Sequence, residues 1–183
     1  MKIIQGTVIF FLFFILFSCE NQQEKKQKET AEAETMVLEG TYLGQETPGM
    51  SPEIFAPDFI SKQLNERDAA FTPDGKEFYF SITQIPHFVI AFSKFENNRW
   101  SEPEVVSFSG RYSDIEPFIT KDGKRMYFAS NRPNDGVGEP NSNYDIWYAD
   151  RIENRWGEPV PVGKPVNTEH DEFYPTLADD GTL

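Results

Sequence analysis

Phe71-Thr-Pro-Asp-Gly-Lys-Glu-Phe-Tyr-Phe80 returns as Ile119-Thr-Lys-Asp-Gly-Lys-Arg-Met-Tyr-Phe128, and its opening returns again as Leu177-Ala-Asp-Asp-Gly-Thr-Leu183. Self-similarity at a period of about 50 residues marks a propeller, solenoid or array, in which each unit buries its apolar faces only against its neighbours. Three motifs line up within each unit. An Asp-Gly pair stands at Asp74-Gly75, Asp122-Gly123 and Asp180-Gly181. Between alternating apolar residues it predicts a hairpin, with a type I′ turn that takes φ > 0 at both central positions. An apolar strand closed by a polar turn runs from Ile90 to Trp100 and again from Ile146 to Trp156, and a Glu-Pro pair follows each tryptophan at Glu102-Pro103 and Glu158-Pro159.

Each unit therefore reads as four antiparallel strands, in the second unit over residues 117–120, 125–130, 145–149 and 158–162. In the second strand of the first unit, Phe78 and Phe80 point to one face and Tyr79 to the other; Met126, Tyr127 and Phe128 repeat this. A sheet with one wet face would alternate apolar and polar residues. Two apolar faces predict a sheet sandwiched between neighbours, and prolines in the fourth strand suit an outer edge, where no ladder partner is missed. The expected fold is all-β: a β-propeller of four-stranded antiparallel blades, about two of them complete. Blade one covers residues 66–107, blade two 114–163, and a third opens at 172–183 within a partial propeller spanning 40–183. Ala56-Pro-Asp-Phe-Ile-Ser61 matches the fourth-strand segments, with Pro57, Pro103 and Pro159 equivalent, so residues 55–61 are expected to form the outer strand of a closing blade. Two blades cannot close a ring of roughly four to eight, and the open ends would expose apolar faces. The stretch is thus expected to be the N-terminal part of a longer protein; the alternative is a ring completed by oligomerisation.

Residues 1–18 read as a targeting segment. Lys2 gives a positive start, and residues 8–17 are unbroken apolar sequence, well short of the ~18–20 residues that span a bilayer. The run ends in Leu16-Phe-Ser-Cys19, which resembles the lipobox of bacterial lipoproteins. That resemblance implies cleavage before Cys19 and a lipid on the new N-terminal cysteine; an ordinary secretory signal with an incidental cysteine is the alternative. Cys19 is the single cysteine, so there is no disulfide framework although export would permit one. Residues 19–39 are a tether, since 20–35 are Glu-, Lys-, Gln- and Ala-rich and cannot bury a core; as a coil they span about 20–25 Å. Loss of Lys2 from the 17 Lys+Arg leaves 16 against 30 Asp+Glu, a net charge of −14. Such a surface repels nucleic acid and anionic headgroups, which excludes the former as partner and leaves membrane contact to the acyl chains. Glu20 follows the cysteine where inner-membrane retention prefers Asp, which by the sorting rules of bacterial lipoproteins implies the outer membrane, on either face.

Thr72-Pro-Asp-Gly-Lys-Glu-Phe-Tyr-Phe80, Asp122-Gly-Lys-Arg-Met-Tyr-Phe-Ala-Ser-Asn-Arg-Pro133, Asp145-Ile-Trp-Tyr148 and the Trp-x-Glu-Pro segments resemble the Pro-Asp-Gly, WD-repeat-like β-propeller repeats of the TolB type. These are frequent in outer-membrane lipoproteins of Bacteroidetes-like bacteria. The resemblance covers roughly residues 41–183. Lys121 and Asp179 replace the proline in the later copies. It implies the fold, but that family mixes binding modules, scaffolds and propellers attached to enzymes.

Hairpin geometry sends the first-to-second and third-to-fourth strand turns to one rim, and the remaining loops to the other. Eight residues before each Asp-Gly pair's glycine-preceding aspartate stands an acid: Glu66, Asp114 and Glu172. Asp68 and Glu116 reinforce two of them, and Glu169-His170-Asp171 crowds the third. On that same rim the loop 131–143 is eight residues longer than its counterpart and contains Asn134 and Asp135; insertions confined to one rim are typical of a binding face. The candidate rim is thus Glu66, Asp114, Glu116, Glu172, Asn134 and Asp135, taking a cation or a cationic or polyhydroxylated ligand. The structural alternative is that each acid caps backbone N–H groups or pairs with an arginine. Calcium is weighed for loop 131–143, which lacks the full oxygen spacing of a calcium loop. His87 and His170 are the only histidines and read as loop residues rather than a metal pair. No nucleophile elbow stands out, the spacing at Asp74-Gly75 departs from the sialidase Asp-box, and the repeat spacing of Trp100 and Trp156 assigns them to packing rather than sugar stacking. The expected function is a lipid-anchored envelope module that binds a protein or glycan without catalysis and without a cofactor. The alternatives are a carbohydrate-active hydrolase using rim carboxylates, and a propeller fused to a downstream domain.

Overall fold

The computed structural model describes residues 38–84 and 86–183; the targeting segment, Cys19 and most of the tether lie outside them. Among the described residues there is no α-helix, and none is long and apolar enough to cross a membrane. Ten strands build two antiparallel sheets. In the first, β1 (Glu66–Phe71), β2 (Glu77–Thr83) and β3 (Phe88–Glu96) form a meander; β3 pairs at its end with β4 (Arg99–Trp100) and along its outer edge with β5 (Glu104–Val105). The second repeats this with β6 (Asp114–Ile119), β7 (Arg125–Ser130), β8 (Asp145–Ile152), β9 (Arg155–Trp156) and β10 (Val160–Pro161). Pro103 and Pro159 directly precede β5 and β10, and Pro161 lies in β10 at the outer edge, where a missing N–H breaks no ladder; Pro117 lies in β6, at the other edge of its sheet.

A turn forms at each Asp-Gly pair, joining two strands at the first two, but it is not the expected type I′ turn. Gly75, Gly123 and Gly181 take φ of +68°, +70° and +85°, whereas the preceding aspartates stay at negative φ. At all three an ordinary turn is closed by the glycine N–H, onto Thr72 O at 2.9 Å, Thr120 O at 2.8 Å and Ala178 O at 3.0 Å; Pro73 pre-sets the corner in the first copy only, and glycine alone then takes the left-handed step. Asp74 Oδ1 accepts from the Thr72 hydroxyl (2.7 Å) and the Lys76 amide (3.1 Å), and Asp122 does the same with Thr120 and Lys124. The Thr72 hydroxyl, then the Lys76 amide, hold Asp74 below the usual carboxylate range.

Residues 55–61 differ from the expected outer strand. Ala56 and Asp58 take φ of +39° and +64°, and the Ala56 carbonyl accepts from the amides of Phe59, Ile60 and Ser61. The segment is a turn that drives Phe59 and Ile60 into the core.

Both faces of the first sheet are covered. Leu43, Ala56, Phe59 and Ile60 pack on Phe78, Phe80, Ala91 and Trp100. On the opposite face Tyr79, Ile90 and Val106 meet Ile119, Met126, Phe128, Trp147 and Trp156 from the second sheet. Strict alternation in β2 sends Phe78 and Phe80 one way and Tyr79 the other, so one strand serves two cores.

Candidate functional site

The first strand of each unit carries a bulge. Arg67 lies opposite Ser81 and Ala70 opposite Tyr79, so the strand gains one residue over its partner; Ile115 and Phe118 repeat this against Ala129 and Tyr127. The extra residue takes a left-handed backbone: Asp68 at φ +60°, Glu116 at +61° and, at the same repeat position, Tyr174 at +54°. A non-glycine residue held there three times over costs energy and is kept only where the surroundings fix it.

The bulges bring Arg67, Asp68, Glu116 and Tyr174 together. Arg67 donates to Asp68 Oδ1 (2.9 Å), to Glu116 Oε1 (3.3 Å) and to the Tyr174 hydroxyl. Glu116 Oε2 accepts the Tyr174 amide at 2.6 Å, which ties the second unit to the opening of the third. Both carboxylates are nearly enclosed, with side-chain exposures of 8% for Asp68 and 4% for Glu116, while Arg67 keeps 42%. Burial raises the Glu116 carboxyl; the Tyr174 amide opposes this and Asp68 adds to it.

The aligned acids have three different environments. Glu66 Oε1 accepts the amides of Lys62 (2.8 Å) and Leu64 (3.1 Å). Glu172 accepts the amide (3.1 Å) and hydroxyl (2.6 Å) of Thr168. Asp114 is wholly buried and pairs with Arg132 at 2.5 Å. Burial raises its carboxyl, against Arg132 and the Ser130 and Ser109 hydroxyls. Of the expected rim, Glu66 and Glu172 thus bind their own preceding turns, Asp114 faces inward, and Glu116 joins the bulge cluster.

Arg132 was not anticipated, and it organises the long loop. Its guanidinium sits 5.3–5.7 Å from the ring centres of Phe108, Tyr112, Phe128 and Trp147 and donates to the Ser130 hydroxyl at 3.0 Å. A desolvated arginine over aromatic faces gains from their quadrupoles as well as from its carboxylate. The loop rises from this anchor. The Tyr112 hydroxyl faces the carbonyls of Gly136 (3.2 Å) and Gly138 (3.1 Å), while Asn141 closes the base through Asn131 O (2.7 Å) and Arg132 O (3.2 Å). Asn134, Asp135 and Val137 stay exposed, Val137 by 68%. Beside the loop, Asp145 is raised by burial and then by the neighbouring Glu172 carboxylate.

At the opposite end, the Asp-Gly turns and the β3–β4 and β8–β9 hairpins border a cleft of about 740 Å³ that includes Lys76, Lys94, Lys121 and Arg151, with Asp74, Glu77, Glu96 and Asp122 among them. Among the described residues no three His, Cys, Asp or Glu side chains are arranged to hold a metal ion; His87 and His170 are both exposed.

Set against protein-family models, curated proteins and solved structures, the chain matches none.

Two residues of these clusters could have been found in the sequence. Tyr174 occupies the repeat position of Asp68 and Glu116, and Arg132 opens the one loop that exceeds its counterpart. Arg67 gives no such signal, because Ile115 and Phe173 stand at its equivalents.

Proposed function

We propose that this chain is a lipid-anchored, cell-envelope β-propeller of the TolB-like type, serving as a non-catalytic binding or scaffold module for a protein or glycan through loop 131–143. The propeller reading is supported by two meanders of the same strand order packed face to face. The anchor reading rests on the Cys19 segment. The observation that carries the function is the loop's anchorage: Arg132 buried on Asp114 and Tyr112 bracing Gly136 and Gly138 hold residues 134–139 in one shape before any partner arrives. A preformed loop loses little freedom on binding, so its exposed contacts convert to affinity.

A panel of soluble glycans, including muropeptides and lipopolysaccharide core oligosaccharides, tests this on the full chain, together with photo-crosslinking from position 137 in intact cells. The expected outcome is a saturable glycan or a single cross-linked envelope protein, with no turnover, weakened about tenfold by Asn134→Ala with Asp135→Ala. Neither glycan nor cross-link would overturn the binding reading. In the same cells, Cys19→Ser is expected to abolish incorporation of labelled palmitate.

The hydrolase reading has one observation in its favour, the Asp145–Glu172 pair, whose shared environment raises one carboxyl as an acid catalyst requires. Turnover of a glycan that Asp145→Asn abolishes while binding persists would establish it.

A further inference from the structure

On the rim away from loop 131–143, the joint between the two sheets opens into the cleft of about 740 Å³. Contacts between the sheets frame it. The two Asp-Gly turns touch, since a Cβ on Gly123 would stand 3.8 Å from Pro73 Cδ, and the two hairpin ends touch, with Lys94 Nζ 3.5 Å from Asn154 O. Glu77 is the most enclosed charged residue of the cleft and is held in a polar clasp. Arg151 donates to Glu77 Oε1 and to the Tyr79 hydroxyl, each at 3.1 Å, pairs with Glu77 Oε2 and lies 4.3 Å from the Trp156 ring centre. The Tyr79 hydroxyl also accepts the Trp156 indole N–H at 3.0 Å and donates to Glu77 Oε2 at 2.7 Å.

Three of the four carboxylates in the cleft are engaged, and its lysines are not. Glu77 is taken by the clasp, while Asp74 and Asp122 each accept the hydroxyl and amide of their own turn. Lys94 stands 3.5 Å from Glu77 Oε1 as well as from Asn154 O, beyond the usual length of such a bond. In the second sheet the equivalent pair has its charges interchanged, Arg125 for Glu77 and Asp150 for Lys94, and it closes tightly, at 2.6 and 3.0 Å. Lys121 pairs with Asp179, but both side chains are open to water, where such a pair holds weakly. Lys76 enters no ion pair among the described residues. Even the clasp lacks one acceptor, because Arg151 Nε is enclosed without a partner.

From this we infer that the cleft binds an acidic saccharide, whose carboxylate or phosphate is taken by Lys76, Lys94 and Lys121 and whose hydroxyls are taken by Asn97, Asn154 and Glu96. Its volume is that of a small-ligand site, about 300–1,000 Å³. An ammonium group is a point charge that serves either oxyanion. The exposed amides of Asn97 and Asn154 both donate and accept, as ring hydroxyls require, and Glu96 accepts. A nucleobase or an acyl chain would need apolar walls, whereas Pro73 and Phe95 are the only apolar side chains bordering the cleft among the described residues. Gathering these lysines matters in a chain whose net charge is −13, since the rest of its surface repels an anion. The site lies on the opposite rim from loop 131–143 and does not depend on the binding reading given for that loop.

Isothermal titration of the full chain with trigalacturonate, a hexose phosphate, inorganic phosphate and neutral galactotriose tests it. Trigalacturonate or the hexose phosphate is expected to saturate one site, the tighter of the two naming the acid group, with galactotriose about tenfold weaker or more. Lys76→Gln with Lys121→Gln removes charge from two exposed side chains and is expected to weaken binding about tenfold while leaving Tm unchanged. Raising salt to about 0.5 M is expected to weaken it likewise. Asn134→Ala with Asp135→Ala, on the other rim, is expected to leave it as it was. The inference is overturned if neither acidic saccharide binds, if galactotriose or inorganic phosphate binds as tightly, or if the lysine variant binds as the parent does. Binding lost in the loop variant but kept in the lysine variant would put the saccharide on loop 131–143, which sinks this inference and leaves the loop reading standing.

Discussion

Arg132 spends its charge inside the protein, among four rings, with one carboxylate for a partner. Removing one member of such a buried pair strands the other, which costs about 3–5 kcal/mol, whereas removing both costs far less. Asp114→Ala is therefore expected to lower stability by that amount in urea titrations, and Asp114→Asn by less because an acceptor remains. Adding Arg132→Met to Asp114→Ala should recover much of the loss; strict additivity of the two changes would contradict the pairing. The repeat alignment locates Glu66, Asp114 and Glu172 at one position but does not say what each one binds. Two of them find partners within four residues, in turns they themselves hold, while Asp114 finds an arginine 18 residues on. Local pattern reads the first kind of contact and is blind to the second, which exists only once β6 and β7 have paired.

At the scale of elements, the strands were legible because alternation and β-branched or aromatic content agree over six or more residues. β7 begins and ends where the sequence places it, whereas β6 starts three residues earlier than expected, at the acid. The cause is the bulge: Glu116 at positive φ interrupts the alternation without ending the pairing. Residues 55–61 mislead in the opposite way, since the proline match at Pro57 is shared with true edge strands, yet the Ala56 carbonyl gathers three amides and winds the segment into a turn. The two long hairpins offer a test at this scale. Asn97 takes φ of +52° at the first turn, and Glu153 takes +56° at its counterpart. Asparagine tolerates the left-handed region and glutamate does not. Glu153→Asn is expected to raise stability by about 0.5–1 kcal/mol, seen as a higher Tm; an unchanged or lower Tm would mean that the glutamate has a role of its own there.

For the molecule as a whole, what holds one sheet to the next is an apolar core with a polar clasp at its edge. Burial works to raise Glu77, but Arg151, Tyr79 and Lys94 outweigh it and keep its carboxyl below the ordinary range. A carboxyl depressed on folding adds stability at every pH above its unfolded value near ~4.3, and that stability is lost as pH falls through the lower folded value. Glu77→Gln is expected to destabilise the chain at neutral pH and to lose this share of the acid dependence, so that the two proteins converge in stability below about pH 4. A gap that stays constant down to acid unfolding would show that the clasp carries none of it. The Phe78/Tyr79/Phe80 pattern made two covered faces legible, but the clasp joins Glu77 to Arg151 across 74 residues, and only the register between sheets creates it.

The reversal from Glu77 and Lys94 to Arg125 and Asp150 has a consequence for how such a chain reaches its native state. Repeats this alike can be mistaken for one another as they emerge from the ribosome, and near-identical neighbours are prone to cross over and trade places. The Arg125–Asp150 pair of the second sheet is the Glu77–Lys94 pair of the first with its charges interchanged, so Arg151, which seats on Glu77 at the joint, would find a cation at the corresponding position of its own sheet. Two interchanged ion pairs thus act as a checksum on the order of assembly.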